Sequence, residues 1–388
     1  HYQEIDQLIM EFNIGGLIFF QGGAYRQAAL NNRYQAESKV PLLIAMDAEW
    51  GVGMRLDSIM DFPKQMTLGA IQDDKWIYEM GKAVANQFEA LKMHINFAPV
   101  VDVNVNPNNP VIGYRSFGED KDNVARKGTA YMKGLQDHGV MANAKHFPGH
   151  GDTGVDSHYD LPVIPHSQRR MSETELYPFK ALMRDSLLSI MVAHLQVPAY
   201  DDRENTPTTL SNKVVTDLLK TDLAFDGLVF TDAMNMQGVA KYYEPGEADV
   251  KALQAGNDII LFPLDVAKAI KQVQKALKKK KLDLASIDVR VKKILRAKYW
   301  AGLNKSQQIK TANLTKRINN DNASLLNRML YEKAVTLVDN SDNLIPQMEL
   351  KDVSFASVLM GGKNGFEFRK MLDMYAPFSH LSIDSLSE

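Results

Sequence analysis

Short apolar runs recur along most of the chain and are bounded by glycine, proline or aspartate. Runs of this length, rich in Val, Ile and Phe and separated by amphipathic stretches, predict buried parallel strands joined by crossover helices. Seven such runs are present: 14–20, 41–47, 95–103, 140–146, 188–198, 227–232 and 258–262.

Polar residues that could take part in catalysis or binding recur where these runs end. This distribution predicts a (β/α)8 TIM-type barrel over residues 1–303 rather than an open doubly wound sheet. The run at 14–20 already follows a helical pattern at 2–12, so we expect the first barrel strand to lie upstream of residue 1. The apolar spacing of 284–299 predicts the helix that completes the barrel.

A change of pattern after Gly302 marks a second region. Residues 304–322 are polar, and 323–334 have helical apolar spacing, so 304–330 is predicted to be a linker and helix. Runs at 335–338 and 353–360 predict strands, and 366–375 predicts a helix. Residues 331–388 therefore resemble the start of a second α/β domain, whose GGKNG turn lacks a full phosphate-binding fingerprint.

Composition excludes several classes of protein. The formal charge of -2 over 388 residues gives no field that would attract nucleic acid, and the basic run 278–281 is expected to be a solvated helix end. No apolar run approaches the roughly 20 residues of a membrane span. The chain has no cysteine, which excludes disulfides, thiolate metal sites and a cysteine nucleophile. This absence favours a periplasmic or cell-envelope location over the cytoplasmic alternative.

The segment 144–162, AKHFPGHGDTGVDSHYDLP, holds three of the nine histidines and follows one of the apolar runs. Its glycines and prolines disfavour a helix, and the segment is predicted to be an active-site loop. Asp156 stands two residues before His158, a spacing that lets a carboxylate orient an imidazole for proton transfer. A metal site is the alternative, since several side chains here are competent ligands, but the spacing matches no standard set: His146, His150, Asp152, Asp156 and His158.

Four other strand ends carry charged or titratable groups. Asp232 follows an apolar run, so its carboxylate would be held rigidly as a nucleophile requires, and a structural ion pair at the rim is the less favoured alternative. His194 is expected to be a satisfied hydrogen-bonding residue as readily as a functional one. Charged donors and acceptors that suit sugar hydroxyls are Asp47, Arg115, Lys145 and His146.

These motifs together resemble the family 3 glycoside hydrolases, and more narrowly their β-N-acetylglucosaminidase branch. The resemblance rests on KHFPGHGDTGVDSH, IAMDAEWG, IGYRSFGED, LVFTDAMNM and VRVKKILRAKY. It implies a retaining exo-hydrolase, without a cofactor, that removes terminal β-linked N-acetylglucosamine from muropeptides or other cell-wall fragments. By the same resemblance Asp232 would be the nucleophile, His158 the acid/base and Asp156 its partner, and the sugar contacts would be Asp47, Arg115, Lys145, His146 and Arg55.

One departure from the family pattern concerns the second motif. The usual Asp-Gln-Glu-Gly-Gly reads Asp-Ala-Glu-Trp-Gly here, so Trp50 replaces a glycine near the expected sugar site. The residues alone leave three other functions open: a metal-dependent hydrolase, a carbohydrate-binding protein without catalysis, and a phosphorolytic variant in which phosphate replaces water.

Overall fold

The computed structural model describes residues 2–157, 159–305, 308–351, 353–361 and 365–383. Backbone contacts divide the chain into two compact units, His1–Val335 and Thr336–Glu388. The first unit contains the predicted sheet and all the candidate site residues. The expected boundaries at 303 and 330 remain predictions.

The strands of the described residues are numbered β1 to β10 in chain order. Their bounds are β1 Gly16–Ile18, β2 Gly22–Gly23, β3 Leu43–Met46, β4 Leu56–Asp57, β5 Ile95–Asn96, β6 Met141–Phe147, β7 Ser189–Val192, β8 Leu228–Thr231, β9 Phe355–Met360 and β10 Phe378–Ile383. Six of them form one parallel sheet in the order β1-β3-β5-β6-β7-β8, and β2 pairs with β4 in a separate two-stranded sheet.

Helices alternate with the strands of the sheet. The α-helices are α1 Tyr2–Phe12, α2 Ala24–Glu37, α3 Gln65–Gly69, α4 Lys75–Ala90, α5 Lys121–Gln136, α6 Gln168–Glu173, α7 Tyr177–Arg184, α8 Gln237–Ala240, α9 Glu247–Ala255, α10 Val266–Lys278, α11 Leu284–Trp300, α12 Leu314–Ile318, α13 Asp321–Ala334 and α14 Phe366–Asp373. A π-helix spans Lys213–Asp222, and 3₁₀ turns occur at Val52–Met54, Gly113–Arg115, Thr208–Leu210 and Leu303–Lys305.

Each strand of the large sheet pairs in parallel with the next one along the chain. This sequential order confirms the predicted parallel α/β fold, because an open doubly wound sheet would reverse its order at a switch point. A further bridge from Phe230 to Ile259 extends the sheet past β8. The helices predicted at 2–12, 284–299 and 323–334 correspond to α1, α11 and α13.

Most of the predicted strands are shorter than their apolar runs, and two of them pair over only one or two residues. The run 95–103 pairs regularly only at β5, because Pro99 has no N–H to donate to a ladder. The run 258–262 forms a single bridge: the Leu261 N–H donates to the Thr231 hydroxyl instead of a backbone carbonyl, and Phe262 has a φ of 52°. Both runs nevertheless take their predicted places beside β3 and β8.

The sheet is buried on both faces, as a parallel sheet requires. Along β3, Leu43 and Ala45 belong to one apolar cluster while Ile44 and Met46 belong to another. The first cluster lies on the strand face shared with Phe97 and Phe230, whose rings pack edge to face at 5.5 Å. The second cluster continues into the helices. Because both faces of the sheet are covered in this way, solvent reaches the polar strand ends and not the strand centres.

The second unit contains β9 and β10, which pair in parallel, and α14 between them. The strand predicted at 353–360 is β9. The strand predicted at 335–338 is wrong: this segment has no regular structure, and Val335, Leu337 and Val338 are 81%, 56% and 92% exposed. Without a neighbouring strand, its apolar side chains gain no burial. Among the described residues, no helix combines the length and apolar character required to cross a membrane.

Candidate active site

The predicted site residues lie at the carboxyl ends of neighbouring strands. Asp47 follows β3, Lys145 and His146 belong to the last residues of β6, and Asp232 follows β8. The Asp232 N–H donates to the Val192 carbonyl at the end of β7, at 2.9 Å. Because the carboxyl ends of parallel strands share one edge, these side chains meet at a single mouth of the sheet.

The turn that carries Asp47 is fixed by a buried amide. The side chain of Asn96 in β5 accepts a hydrogen bond from the Ala48 N–H and donates one to the Ala48 carbonyl, both at 3.1 Å. The Tyr131 hydroxyl adds a bond to the Glu49 carbonyl at 3.2 Å. The carboxylates of Asp47 and Glu49 are thereby presented on either side of a rigid turn.

Lys145 lies between those two carboxylates. Its ammonium is 2.7 Å from Asp47 and 2.9 Å from Glu49, and the side chain is only 2% exposed. Burial by itself lowers the pKa of Lys145, but the two carboxylates outweigh burial and the pKa is raised. Lys145 is therefore a fixed cation at neutral pH.

Glu49 also holds Arg115 through a two-point ion pair. The Nε and Nη2 atoms of Arg115 lie 3.0 and 2.7 Å from the two oxygens of Glu49, whose side chain is 1% exposed. Burial raises the pKa of Glu49, yet the charges of Lys145 and Arg115 bring it well below its ordinary range. The same contact raises the pKa of Arg115, against the effect of burial.

Three charged side chains of this cluster retain access to solvent. Arg55 lies 3.4 Å from the Asp47 carboxylate, and its Nε donates to the Asp47 carbonyl at 3.0 Å. The side chains of Asp47, Arg55 and Arg115 are 18%, 26% and 18% exposed. Partly exposed and rigidly paired, they are arranged to receive a polar ligand.

His146 is oriented by Asp102, a carboxylate with no exposed surface. The His146 Nδ1 lies 2.7 Å from Asp102, which also accepts hydrogen bonds from the backbone N–H groups of His146 and His150. Burial raises the pKa of Asp102, but the two histidines lower it overall. With Nδ1–H donated to Asp102, Nε2 is free to accept and lies 3.4 Å from an Arg115 nitrogen.

Asp232 is partly buried and directly follows β8. Burial raises its pKa, but His194, His146, the Ala233 N–H and Lys145 together lower it below the ordinary value. One carboxylate oxygen accepts from the Ala233 N–H at 2.8 Å. Asp232 is therefore ionised, and it interacts electrostatically with Lys145 and His146. These two residues also contact Asp47 and Arg115.

His194 is a buried neighbour of this aspartate. Its Nε2 lies 3.1 Å from the Ala233 carbonyl, and its Nδ1 lies 2.7 Å from the Thr209 hydroxyl, which itself donates to the Ala193 carbonyl. A carbonyl only accepts, so the Nε2 atom of His194 carries a proton. The interaction with His194 lowers the pKa of Asp232.

The loop after β6 is packed and hydrogen-bonded up to Ser157. His150 contacts the hydroxyls of Thr153 and Ser157 at 2.8 and 3.1 Å, and burial lowers its pKa to about 4. Gly151 approaches the Val103 backbone so closely that an added Cβ would collide with its carbonyl oxygen. His150 is thus a neutral structural support for the loop.

The remainder of the loop is tied to the segment that follows Asp232. The Ser157 carbonyl accepts from the Gly238 N–H at 3.2 Å, and Asp160 accepts from Lys241 and Tyr242. Asp156 is partly exposed, and its carbonyl accepts from the N–H of Tyr159. His158, the predicted acid/base, lies outside the described residues.

Among the described residues, one set of side chains has metal-like spacing. One ligand atom each from Asp152, His166 and Glu175 lies within 4.8 Å of the others. A cation is already present there, since the Arg170 guanidinium is 3.0 Å from Glu175 and 4.0 Å from Asp152. The set shares only Asp152 with the ligands considered from the sequence, and its charges favour an ion-pair network.

Sequence reasoning did not single out Glu49 or Asp102. Glu49 stands inside the quoted DAEWG motif, and Asp102 is the lone carboxylate of an apolar run. A charged residue within a buried run requires a partner, and that requirement was the available signal.

The parallel sheet thus brings an ionised carboxylate and a Lys-Arg-Asp-His cluster to one carboxyl edge, where parallel α/β folds carry their active sites. Comparison with known proteins identifies the family. Residues 1–297 match the sequence profile of the glycosyl hydrolase family 3 N terminal domain. The chain belongs to this family.

Similar proteins align with much of the region that matches the family profile. A β-hexosaminidase A from Pseudoalteromonas piscicida is 36% identical over 286 residues, 68% of this chain and 48% of that protein. A β-N-acetylglucosaminidase/β-glucosidase from Cellulomonas fimi is 26% identical over 86% of this chain and 61% of that protein. The chain thus spans about half to three fifths of these relatives.

A solved structure matches nearly the whole chain. The family 3 β-N-acetylglucosaminidase from Paenibacillus sp. str. FPU-7 superposes with a TM-score of 0.85 at 31% identity, covering 98% of this chain and 76% of that one. This match supports the arrangement of the sheet and helices described above.

Proposed function

We propose that this chain is the catalytic part of a retaining β-N-acetylhexosaminidase that acts through a covalent glycosyl-Asp232 intermediate. The observation that carries the proposal is the position of Asp232: its N–H donates to the end of β7, one carboxylate oxygen accepts from the Ala233 N–H at 2.8 Å, and neighbouring groups lower the pKa of the carboxyl. A nucleophile requires this rigidity and this ionisation. The names of the similar proteins support the choice of N-acetylglucosamine as the sugar.

The cluster at β3 and β6 would hold the glycone. Lys145 and Arg115 offer N–H donors, and Asp47 and the His146 Nε2 offer acceptors, so adjacent hydroxyls can be bound in pairs. Each of these groups is held by a buried partner, Glu49 or Asp102, which reduces the reorganisation needed on binding. The anomeric carbon would then face Asp232.

In the first step the Asp232 carboxylate attacks the anomeric carbon while His158 gives a proton to the leaving oxygen. In the second step His158 removes a proton from water, which hydrolyses the glycosyl ester and restores the β-configuration. Imidazole suits both steps because its unperturbed pKa is about 6.5. A neutral histidine also avoids the repulsion that a second carboxylate would meet beside Asp232.

The anchored ends of the loop support this role for His158. Ser157 contacts Gly238, and Asp160 contacts Lys241 and Tyr242, all in the segment that follows Asp232. Asp156 is the proposed partner that orients the imidazole. We also infer that the sheet belongs to a full (β/α)8 barrel, that the natural substrates are cell-wall fragments, and that the protein works in the periplasm or cell envelope.

The test is release of 4-nitrophenol from 4-nitrophenyl N-acetyl-β-glucosaminide, with and without a chelator. The proposal predicts release that the chelator leaves unchanged. Loss of release with chelator would instead indicate a metal-dependent hydrolase. Binding of N-acetylglucosamine without any release would indicate a carbohydrate-binding protein, and a sugar phosphate product in phosphate buffer would indicate phosphorolysis.

The acid/base assignment has its own test. His158→Ala should lose roughly 10²- to 10⁴-fold in activity on poor alkyl or sugar leaving groups and much less on aryl leaving groups. Equal losses on both classes would show that His158 is structural.

A further inference from the structure

The tryptophan that replaces the family glycine packs against a second aromatic ring. Trp50 is partly buried, and its ring meets that of Tyr114 edge to face, with centroids 6.2 Å apart and an interplanar angle of 61°. Tyr114 is 54% exposed. Together they form an aromatic pair that is anchored on the core side by Trp50 and open to solvent on the Tyr114 side.

A lysine completes the group. The Lys64 ammonium lies 4.0 Å from the Tyr114 ring centroid and 5.5 Å from that of Trp50. Lys64 is exposed, and within the described residues it makes no salt bridge shorter than 4.0 Å. Asp61 is a nearby acid: burial raises its pKa, and the Lys64 charge only partly offsets that rise. The ammonium thus keeps capacity for an anion.

The position of the pair is set by the buried ion pair of the glycone site. Trp50 directly follows Glu49, and Tyr114 directly precedes Arg115, so the Glu49–Arg115 contact brings the two rings together. The rings therefore border the sugar cluster on the side of Arg115. Nothing in the proposed hydrolytic step uses them.

We propose that Trp50, Tyr114 and Lys64 form a subsite for the sugar on the leaving side of the scissile bond, with preference for a sugar that carries a carboxylate. This inference rests on the proposed function. Rigid aromatic faces gain contact area with the C–H face of a sugar ring at low entropic cost. Lys64 supplies the complementary charge, since an ammonium held over aromatic rings can pair with a carboxylate at the ring edge.

Binding of uncleaved disaccharides tests the subsite without turnover. In an Asp232→Ala background, calorimetry would measure the affinities of free N-acetylglucosamine, of neutral N,N′-diacetylchitobiose, and of N-acetylglucosaminyl-β-1,4-N-acetylmuramic acid. Trp50→Ala, or Tyr114→Ala if the first variant does not fold, should weaken both disaccharides about 10-fold. The affinity of free N-acetylglucosamine should not change.

Lys64→Met should weaken the binding of only the carboxylate-bearing disaccharide. In the protein that retains Lys64, added salt should reduce the preference for this disaccharide over the neutral one. Matched controls are Trp76→Ala and Lys75→Met, a tryptophan and lysine in contact at 5.3 Å on α4. The subsite would be overturned if Trp50→Ala and Tyr114→Ala weakened disaccharide binding no more than Trp76→Ala does. Equal effects of Lys64→Met on both disaccharides would overturn the preference. Absence of turnover by the intact chain, with these binding differences retained, would count against the hydrolase and not against the subsite.

Discussion

The Nδ1 atom of His146 lies 2.7 Å from a carboxylate oxygen of Asp102, a residue with no exposed surface. This contact fixes the proton on Nδ1 and leaves Nε2 to face Arg115 and the mouth of the sheet. Asp102 therefore acts on the site through His146, and it is a positioning residue that touches no ligand itself.

We expect Asp102→Asn to reduce kcat/KM roughly 10²-fold, because an amide cannot enforce the same imidazole tautomer. The measurement is steady-state kinetics of Asp102→Asn, His146→Gln and the double variant. If Asp102 acts through His146, the double variant will be little worse than His146→Gln alone. Additive losses would show that Asp102 has a separate role.

Glu49→Gln should destabilise the fold by about 3–5 kcal/mol, because it leaves the buried Lys145 and the partly buried Arg115 without their shared carboxylate. Denaturant unfolding would measure the loss. The exposed pair Arg169–Glu173 offers a matched control, since Glu173→Gln removes an ion pair at the surface and should change little.

The Glu49 effect should also depend on pH. Its folded-state pKa lies below the ordinary value of 4.5, so its contribution to stability is complete above that pH and is lost as the pH falls further. The difference between the unsubstituted protein and Glu49→Gln should shrink below about pH 4. A difference that is constant with pH would contradict the ion-pair account.

His194→Gln should move the acid limb of the kcat/KM profile to higher pH. The interaction with His194 is the largest of the effects that lower the pKa of Asp232, and its removal lets that pKa rise. Asp232 then loses its proton at a higher pH, which moves the acid limb in the same direction. A pH profile of 4-nitrophenyl glycoside hydrolysis would show the shift, and an unmoved acid limb would separate His194 from Asp232.

The sequence predicted the parts of the fold that local pattern determines. Apolar runs gave the positions of β1, β3, β6, β7 and β8, because buried parallel strands are continuous in hydrophobicity. The strand expected at 335–338 failed because an apolar run becomes a strand only where a partner is available, and its side chains remain exposed. β10 was not predicted at all.

The site was predicted as a set of residues but not as a network. The strand-end rule brought together Asp47, Lys145, His146 and Asp232, since parallel strands share one edge. It could not identify Glu49 or Asp102, because their partners are far away in the sequence. The pairs Lys145–Glu49 and His146–Asp102 exist only after the strands align.

Azide rescue of Asp232→Ala tests the central claim most directly. The variant should lose turnover of 4-nitrophenyl N-acetyl-β-glucosaminide, and azide should restore it by entering the space of the missing carboxylate. NMR of the product should then show the α-glycosyl azide, formed with a single inversion. A β-glycosyl azide, or turnover that persists without azide, would contradict Asp232 as the nucleophile.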